Sequence, residues 1–171
     1  KESKALLKDF EGTELFQALC DMNMGIAFLE MEQYEQTMEF SQKGLDQFSA
    51  IEGSGINQAK CLVNMAAALN QLGKYEEALE ASEKAQAILQ ITGVSSYDAT
   101  LLSYNMGQAL LGLGRFANAQ DKYEKSLEYF RAIPNTQKEQ SLCIFGIGSI
   151  CHGLGKFYEA LAFFQEASAS L

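Results

Sequence analysis

The segment EGTELFQALCDMNMG beginning at Glu11 returns as EGSGINQAKCLVNMA beginning at Glu52, a shift of 41 residues. The same shift carries Met24-Gly25 to Met65-Ala66, to Met106-Gly107 and to Ile147-Gly148, so four copies share one register. A unit this short cannot bury an apolar face by itself. It must stack on its neighbours, and the core then runs from copy to copy.

Each copy carries a second landmark: Gly73-Lys74-Tyr75, Gly114-Arg115-Phe116 and Gly155-Lys156-Phe157, with Glu32-Gln33-Tyr34 in the first. A Gly, a basic residue and an aromatic between two runs with apolar residues at three-and-four spacing predict a tight turn between antiparallel helices. Thr136-x-x-Glu139 and Ser95-x-x-Asp98 read as capping boxes that start the next hairpin, and Pro134 precedes the first of them. No stretch reads as a strand with comparable strength, so the expected class is all-α. Small residues recur where helices must approach: Gly25, Ala66, Gly107 and Gly148 on first helices, and Ala78, Ala119 and Ala160 on second helices. Met24, Met65, Met106 and Ile147 fill the space around them.

These residues resemble the tetratricopeptide repeat, most fully in NMAAALNQLGKYEEALEASEKAQ from Asn64. The resemblance covers nearly the whole chain and implies a right-handed superhelical solenoid of helical hairpins. The period exceeds the family norm by about two helical turns, which predicts longer helices. The family's frequent Trp is replaced by Asp21, Leu62, Ser103 and Ile144, and the repeat-ending Pro is absent. The first copy departs furthest, with Glu32, Thr37 and Gly44 at the turn and small-residue positions. Long repeats of this kind look like those of kinesin light chains, Pins-type adaptors and bacterial peptide-sensing regulators. The expected division is one solenoid domain over 1–171: repeats at 11–51, 52–92, 93–133 and 134–171, the last truncated, with 1–10 closing a preceding second helix. By this reading the chain is a piece of a longer array.

In the family the first helices line a concave groove, and the residue two places before the small landmark points into it. By that resemblance the groove carries Asn23, Asn64 and Asn105, with Gly146 in the fourth copy. An Asn amide can hold a peptide group through both its donor and its acceptor. Equivalent helices lie about 10 Å apart, and an extended chain rises about 3.3 Å per residue, so the three amides match roughly every third residue of a bound segment. The alternative is an Asn bonded to the neighbouring repeat. Asn is a poor mid-helix residue in either case. Flanking groove positions by the same register include Met22, Lys60, Val63, Asn70, Leu101, Tyr104, Gln108, Phe145, Ser149 and His152. The basic clamp of family members that bind acidic tails falls on Met22, Leu101 and Asn105, and only Asn64 survives from it. Weak or no binding to acidic tails is expected, with apolar or aromatic anchors held near Tyr104 and Phe145. Packing between hairpins explains those two rings equally well.

Chemistry of other kinds is thinly represented. Lys and Arg number 13 against 22 Asp and Glu, a formal charge of −9 with no basic cluster, which disfavours nucleic acid and anionic membrane as partners. No apolar run approaches the ~20 residues of a membrane span. The cysteines Cys20, Cys61, Cys143 and Cys151 form no CxxC pair, which suits a reducing, cytoplasmic setting. Three of them share a repeat position with Leu102 and read as small buried hydrophobes. One histidine, His152, supports neither a His-pair metal site nor a nucleophilic triad, so no catalytic residue, metal or cofactor is expected. Gly112-x-Gly114-x-x-Ala117 follows a helix, not a strand, and is the hairpin turn. Lys43, Lys84 and Lys125 recur on acidic second helices as a solvated convex face.

The leading functional expectation is therefore a protein-binding scaffold or adaptor that grips an extended segment. A regulatory domain that senses a peptide and controls an attached effector, and a spacer that associates end to end, stay open beside it; an enzyme comes last. On the groove reading, Asn64→Ala and Asn105→Ala each weaken partner binding by about 1–3 kcal/mol and leave folding intact. Early melting of both variants would instead make the amides structural.

Overall fold

The computed structural model describes residues 2–92 and 96–169, with the side chains of 12–92 and 97–169. The described residues form eight helices and no strand: α1 (Glu2–Glu30), α2 (Tyr34–Ser49), α3 (Gly55–Gln71), α4 (Tyr75–Thr92), α5 (Ser96–Gly112), α6 (Phe116–Arg131), α7 (Gln137–Gly153) and α8 (Phe157–Ala169). They pair as four antiparallel hairpins, α1–α2, α3–α4, α5–α6 and α7–α8, and each second helix also packs on the first helix of the next hairpin. First helices touch in succession, α1 on α3, α3 on α5 and α5 on α7, whereas successive second helices do not meet. A row that touches inside a row that splays must curve, so α1, α3, α5 and α7 line the concave side. The chain is an all-α solenoid.

The turns follow from backbone chirality. Gly73, Gly114 and Gly155 have φ of 73°, 70° and 75°, a left-handed conformation that costs a side chain about 1–2 kcal/mol. Glu32 adopts φ 58° at the equivalent point of the first hairpin. The first copy folds as the others do despite its weak match: Thr37 is buried and its hydroxyl donates to Gln33 O at 3.0 Å.

The joints between hairpins use a device other than the expected capping box. Thr136 donates its hydroxyl back to Phe130 O (2.5 Å) and Ile133 O (2.9 Å) at the end of α6, and makes no side-chain cap to α7. Gln140 Nε2 donates to the same Phe130 O and to Thr136 Oγ1. Ser54 and Gln58 repeat this clasp on Phe48 O and Ile51 O. These groups tie off the carbonyls that a helix C-terminus leaves unpaired. The Ser95 box lies outside the described residues, and Ala99 stands there where the other joints have Gln.

Two further expectations change. Residues 2–10 continue α1 without a break, so they do not close a separate preceding helix. Met24 is 37% exposed while Met106 and Ile147 are buried, because this position faces the preceding hairpin and none covers α1 among the described residues. Buried residues otherwise form successive clusters, from Ala18, Met22 and Phe48 through Leu62, Leu89 and Met106 to Phe130, Ile144 and Ile150, bridged by the half-buried Leu45 and Leu79. Ala78, Ala119 and Ala160 are buried as expected. Aromatic rings key adjacent hairpins together: a Cβ on Gly112 would sit 2.5 Å from the Tyr75 ring, and one on Gly153 would sit 2.8 Å from the Phe116 ring. On the outer face Lys43–Glu39, Lys84–Glu80 and Lys125–Asp121 form i,i+4 pairs at 2.6, 2.7 and 2.8 Å, one on each of the first three hairpins in the same register. All are exposed and open to screening.

Relief of the left-handed strain gives a direct test. Glu32→Gly raises stability by about 1 kcal/mol and Gly73→Ala lowers it by about the same amount, read as midpoint shifts in urea denaturation. Destabilisation by Glu32→Gly would show that its backbone is unstrained.

Candidate functional site

The concave side is not uniform along the chain. A depression of about 240 Å³ runs from the C-terminal end of α3 across α5 to the middle of α7. Asn70 and Gln71 of α3, Tyr104, Gln108 and Leu111 of α5, and Leu142, Phe145 and Ser149 of α7 line it. Two second-helix residues, Tyr75 and Tyr123, complete it, with Gly112 and Gly146 providing bare backbone. Not one of these side chains is charged.

Tyr123 explains the shape. The small landmarks Gly25, Gly107 and Gly148 each face the residue sixteen places on, and in order these are Ser41, Tyr123 and Phe164. A Cβ on Gly25 would lie 2.6 Å from Ser41 Oγ, whereas one on Gly107 would lie 3.1 Å from the Tyr123 ring. The larger ring reaches further: a Cβ on Gly146 would meet Tyr123 Cζ at 2.5 Å. Gly146 is therefore glycine where the other copies carry Asn, because the ring of the preceding hairpin occupies that space. Tyr104 sits 5.8 Å from Tyr123, ring to ring, and Phe145 sits 5.2 Å from Phe164. Burial pushes the Tyr104 and Tyr123 hydroxyls far above the usual tyrosine range, and both stay protonated. Gln108 Nε2 donates to Tyr104 Oη at 3.0 Å.

Of the expected groove residues, the structure gathers Asn70, Tyr104, Gln108, Phe145 and Ser149 around this depression. The three register-related Asn residues are not equivalent. Asn23 is exposed, Asn64 is half-buried, and Asn105 is 3% exposed. Asn105 Nδ2 donates to Val63 O at 3.4 Å, and Asn70 Nδ2 donates to Asn105 O at 2.9 Å, so two buried bonds join α3 to α5. For Asn105 the bond to the neighbouring repeat replaces the expected grip on a peptide. The Nδ2 of Asn64 is enclosed without a partner. Met22 and Val63 belong to the core, not the groove floor, because the hairpins close over them. Leu101 is half-buried against the core around Leu62 and Met106. Lys60 is half-buried and lies away from the depression, and the exposed His152 rests edge-on against Phe157 at 5.6 Å. Tyr75, Tyr123 and Gly112 lie outside the groove positions that the register assigns, the two tyrosines because it turns second helices outward. The replacement of Ser41 and Ser82 by Tyr123 at one repeat position was the available signal.

Burial pushes the Cys61 and Cys143 thiols up to about 12, which removes them as nucleophiles at neutral pH. No cluster of three His, Cys, Asp or Glu side chains suited to a metal occurs among the described residues. No described helix is long and apolar enough to cross a membrane.

The tetratricopeptide repeat model matches residues 14–91 and 97–171. The chain belongs to the tetratricopeptide repeat family. Solved structures agree with the fold. A TPR-like protein of Chlorobium tepidum superposes with a TM-score of 0.72 at 20% identity, over 82% of this chain and 98% of that one. The apo form of RapI gives a TM-score of 0.75 at 18% identity over 91% of this chain, which spans only 56% of the RapI chain. No curated protein matches in sequence.

The two inner amides separate by stability. Asn105→Ala destabilises by about 1–2 kcal/mol through loss of a buried bond, whereas Asn64→Ala is neutral or stabilising because it removes an unpaired enclosed donor. Thermal or urea melts of the single variants decide this, and equal losses at both positions would contradict it.

Proposed function

We propose that this tetratricopeptide repeat chain is a protein-interaction module, in a scaffold or adaptor role, that holds an extended segment of a partner along its concave face. The observation that carries this reading is the open, uncharged depression spanned by α3, α5 and α7. Its walls offer aromatic surface beside amide and hydroxyl groups, the combination that holds a polypeptide by its backbone and a few side chains. Three successive first helices at about 10 Å spacing contact a segment of roughly six to nine extended residues. The acidic outer face and the neutral groove floor disfavour acidic segments. Asn23 and Gln71, both exposed on first helices, extend the polar surface along the same side. Binding of this kind leaves the partner chemically unchanged.

Selection of displayed random 15-residue peptides against the intact chain tests the reading. Binders are expected to lose at least tenfold in affinity when the groove is obstructed by Asn23→Trp or Ser149→Trp, and to be indifferent to Lys84→Trp on the outer face. Sensitivity to Lys84→Trp alone would move the interaction surface to the second helices.

A further inference from the structure

We infer that the depression between α3, α5 and α7 is a specificity pocket for one aromatic side chain bearing a hydrogen-bond donor, a Trp or Tyr of the bound segment. This rests on the groove reading above and adds what the groove selects. Three observations converge on it.

The walls are rich in aromatic rings. Tyr75, Tyr104, Tyr123 and Phe145 all line the depression, and Phe145 is 55% exposed even though its ring lies tilted against Phe164. Such rings favour another ring in edge or offset contact. The space, about 240 Å³, suits a single large side chain and is too small for a folded element.

The lining carries no charge to pair with a Lys, Arg, Asp or Glu, and desolvating an unpaired ion there is costly. An occupant must therefore be neutral.

Among the lining residues, Asn70 carries an enclosed acceptor that the fold leaves unused. Asn70 is 7% exposed and lines the depression; its Nδ2 is committed to Asn105 O at 2.9 Å, and its Oδ1 has no partner. The bond to a carbonyl fixes which amide atom is nitrogen, so the free atom is the acceptor. A buried acceptor without a partner is unfavourable until a donor arrives, and an indole N–H or a phenol O–H at the end of a ring supplies one. Phe or Leu fills the space and leaves Asn70 unpaired. In the two preceding copies the position of Tyr123 is Ser, so this pocket exists once in the described solenoid.

The test uses small probes on the intact 171-residue chain, monitored through backbone amide signals by NMR. N-acetyltryptophanamide and N-acetyltyrosinamide are expected to shift Gln71, Gln108 and Ser149 saturably. N-acetylphenylalaninamide should bind about fivefold more weakly, the worth of one hydrogen bond, and the lysine and glutamate amides should produce no saturable shift. Phe145→Ala, at an exposed position, should weaken the tryptophan probe at least fivefold with an unchanged melting curve. Equal affinity for the Phe and Tyr probes, saturable binding of a charged probe, or indifference to Phe145→Ala would overturn the assignment. Groove-dependent peptides from the display selection that lack an enriched Trp or Tyr would overturn the pocket and spare the groove reading. Saturable aromatic probes in a chain whose selected peptides ignore the groove variants would do the reverse.

Discussion

The close approach of each first helix to the second helix of its own hairpin governs the rest of this molecule. Gly25, Ala66, Gly107 and Gly148 mark that approach, and the residue sixteen positions later fills it: Ser41, Ser82, Tyr123 and Phe164. Where the filler is Ser, it stops between the two helices, and both Ser hydroxyls are enclosed without partners. Where it is Tyr123, the ring passes Gly107 and continues to Gly146 of the next hairpin. One substitution within a conserved geometry thus joins packing to function. It displaces the groove Asn of the fourth copy and makes a second-helix residue part of the concave surface. The inner side consequently differs along its length, with Asn23 exposed in the first hairpin and an aromatic recess around Tyr104 and Phe145.

The repeat register made the hairpins, the turn glycines, the outer salt bridges and the buried Ala positions legible before any coordinates, because each depends on local chirality or on one face of one helix. Depth was not legible in the same way. Asn23, Asn64 and Asn105 share a register position and therefore a direction, but how far each is enclosed depends on the flanking hairpins, which differ in sequence. Thr136 shows a related limit. Its spacing to Glu139 satisfies the capping box, yet the carbonyls ending α6 compete for the same hydroxyl and win, with Gln140 as a second donor. The unbroken α1 has a similar cause: the 41-residue shift places residues 1–10 level with the end of a second helix, yet no residue in the left-handed region interrupts the helix before Glu30.

These differences give the joints unequal character, and that bears on how a bound segment would be felt. Two buried hydrogen bonds, from Asn70 to Asn105 O and from Asn105 to Val63 O, fix α3 against α5. Toward α7 the corresponding residues are Leu111 and Gly146, and the Tyr123 ring of α6 packs against the Gly146 backbone beside the apolar contact of Leu110 with Ile144 and Ile147. Ring packing tolerates small sliding, whereas a buried bond is lost over a few tenths of an ångström. A ligand seated across the depression touches both joints: displacing the first breaks the two buried bonds between α3 and α5, and displacing the second strains the Thr136 and Gln140 clasp on Phe130 O. If this chain serves as a scaffold, that joint remains where it is on binding. A sensing role would instead require α7 and α8 to move as a unit against a fixed α3–α5 pair, so the two roles differ at the joint where Gly146 takes the place of an Asn.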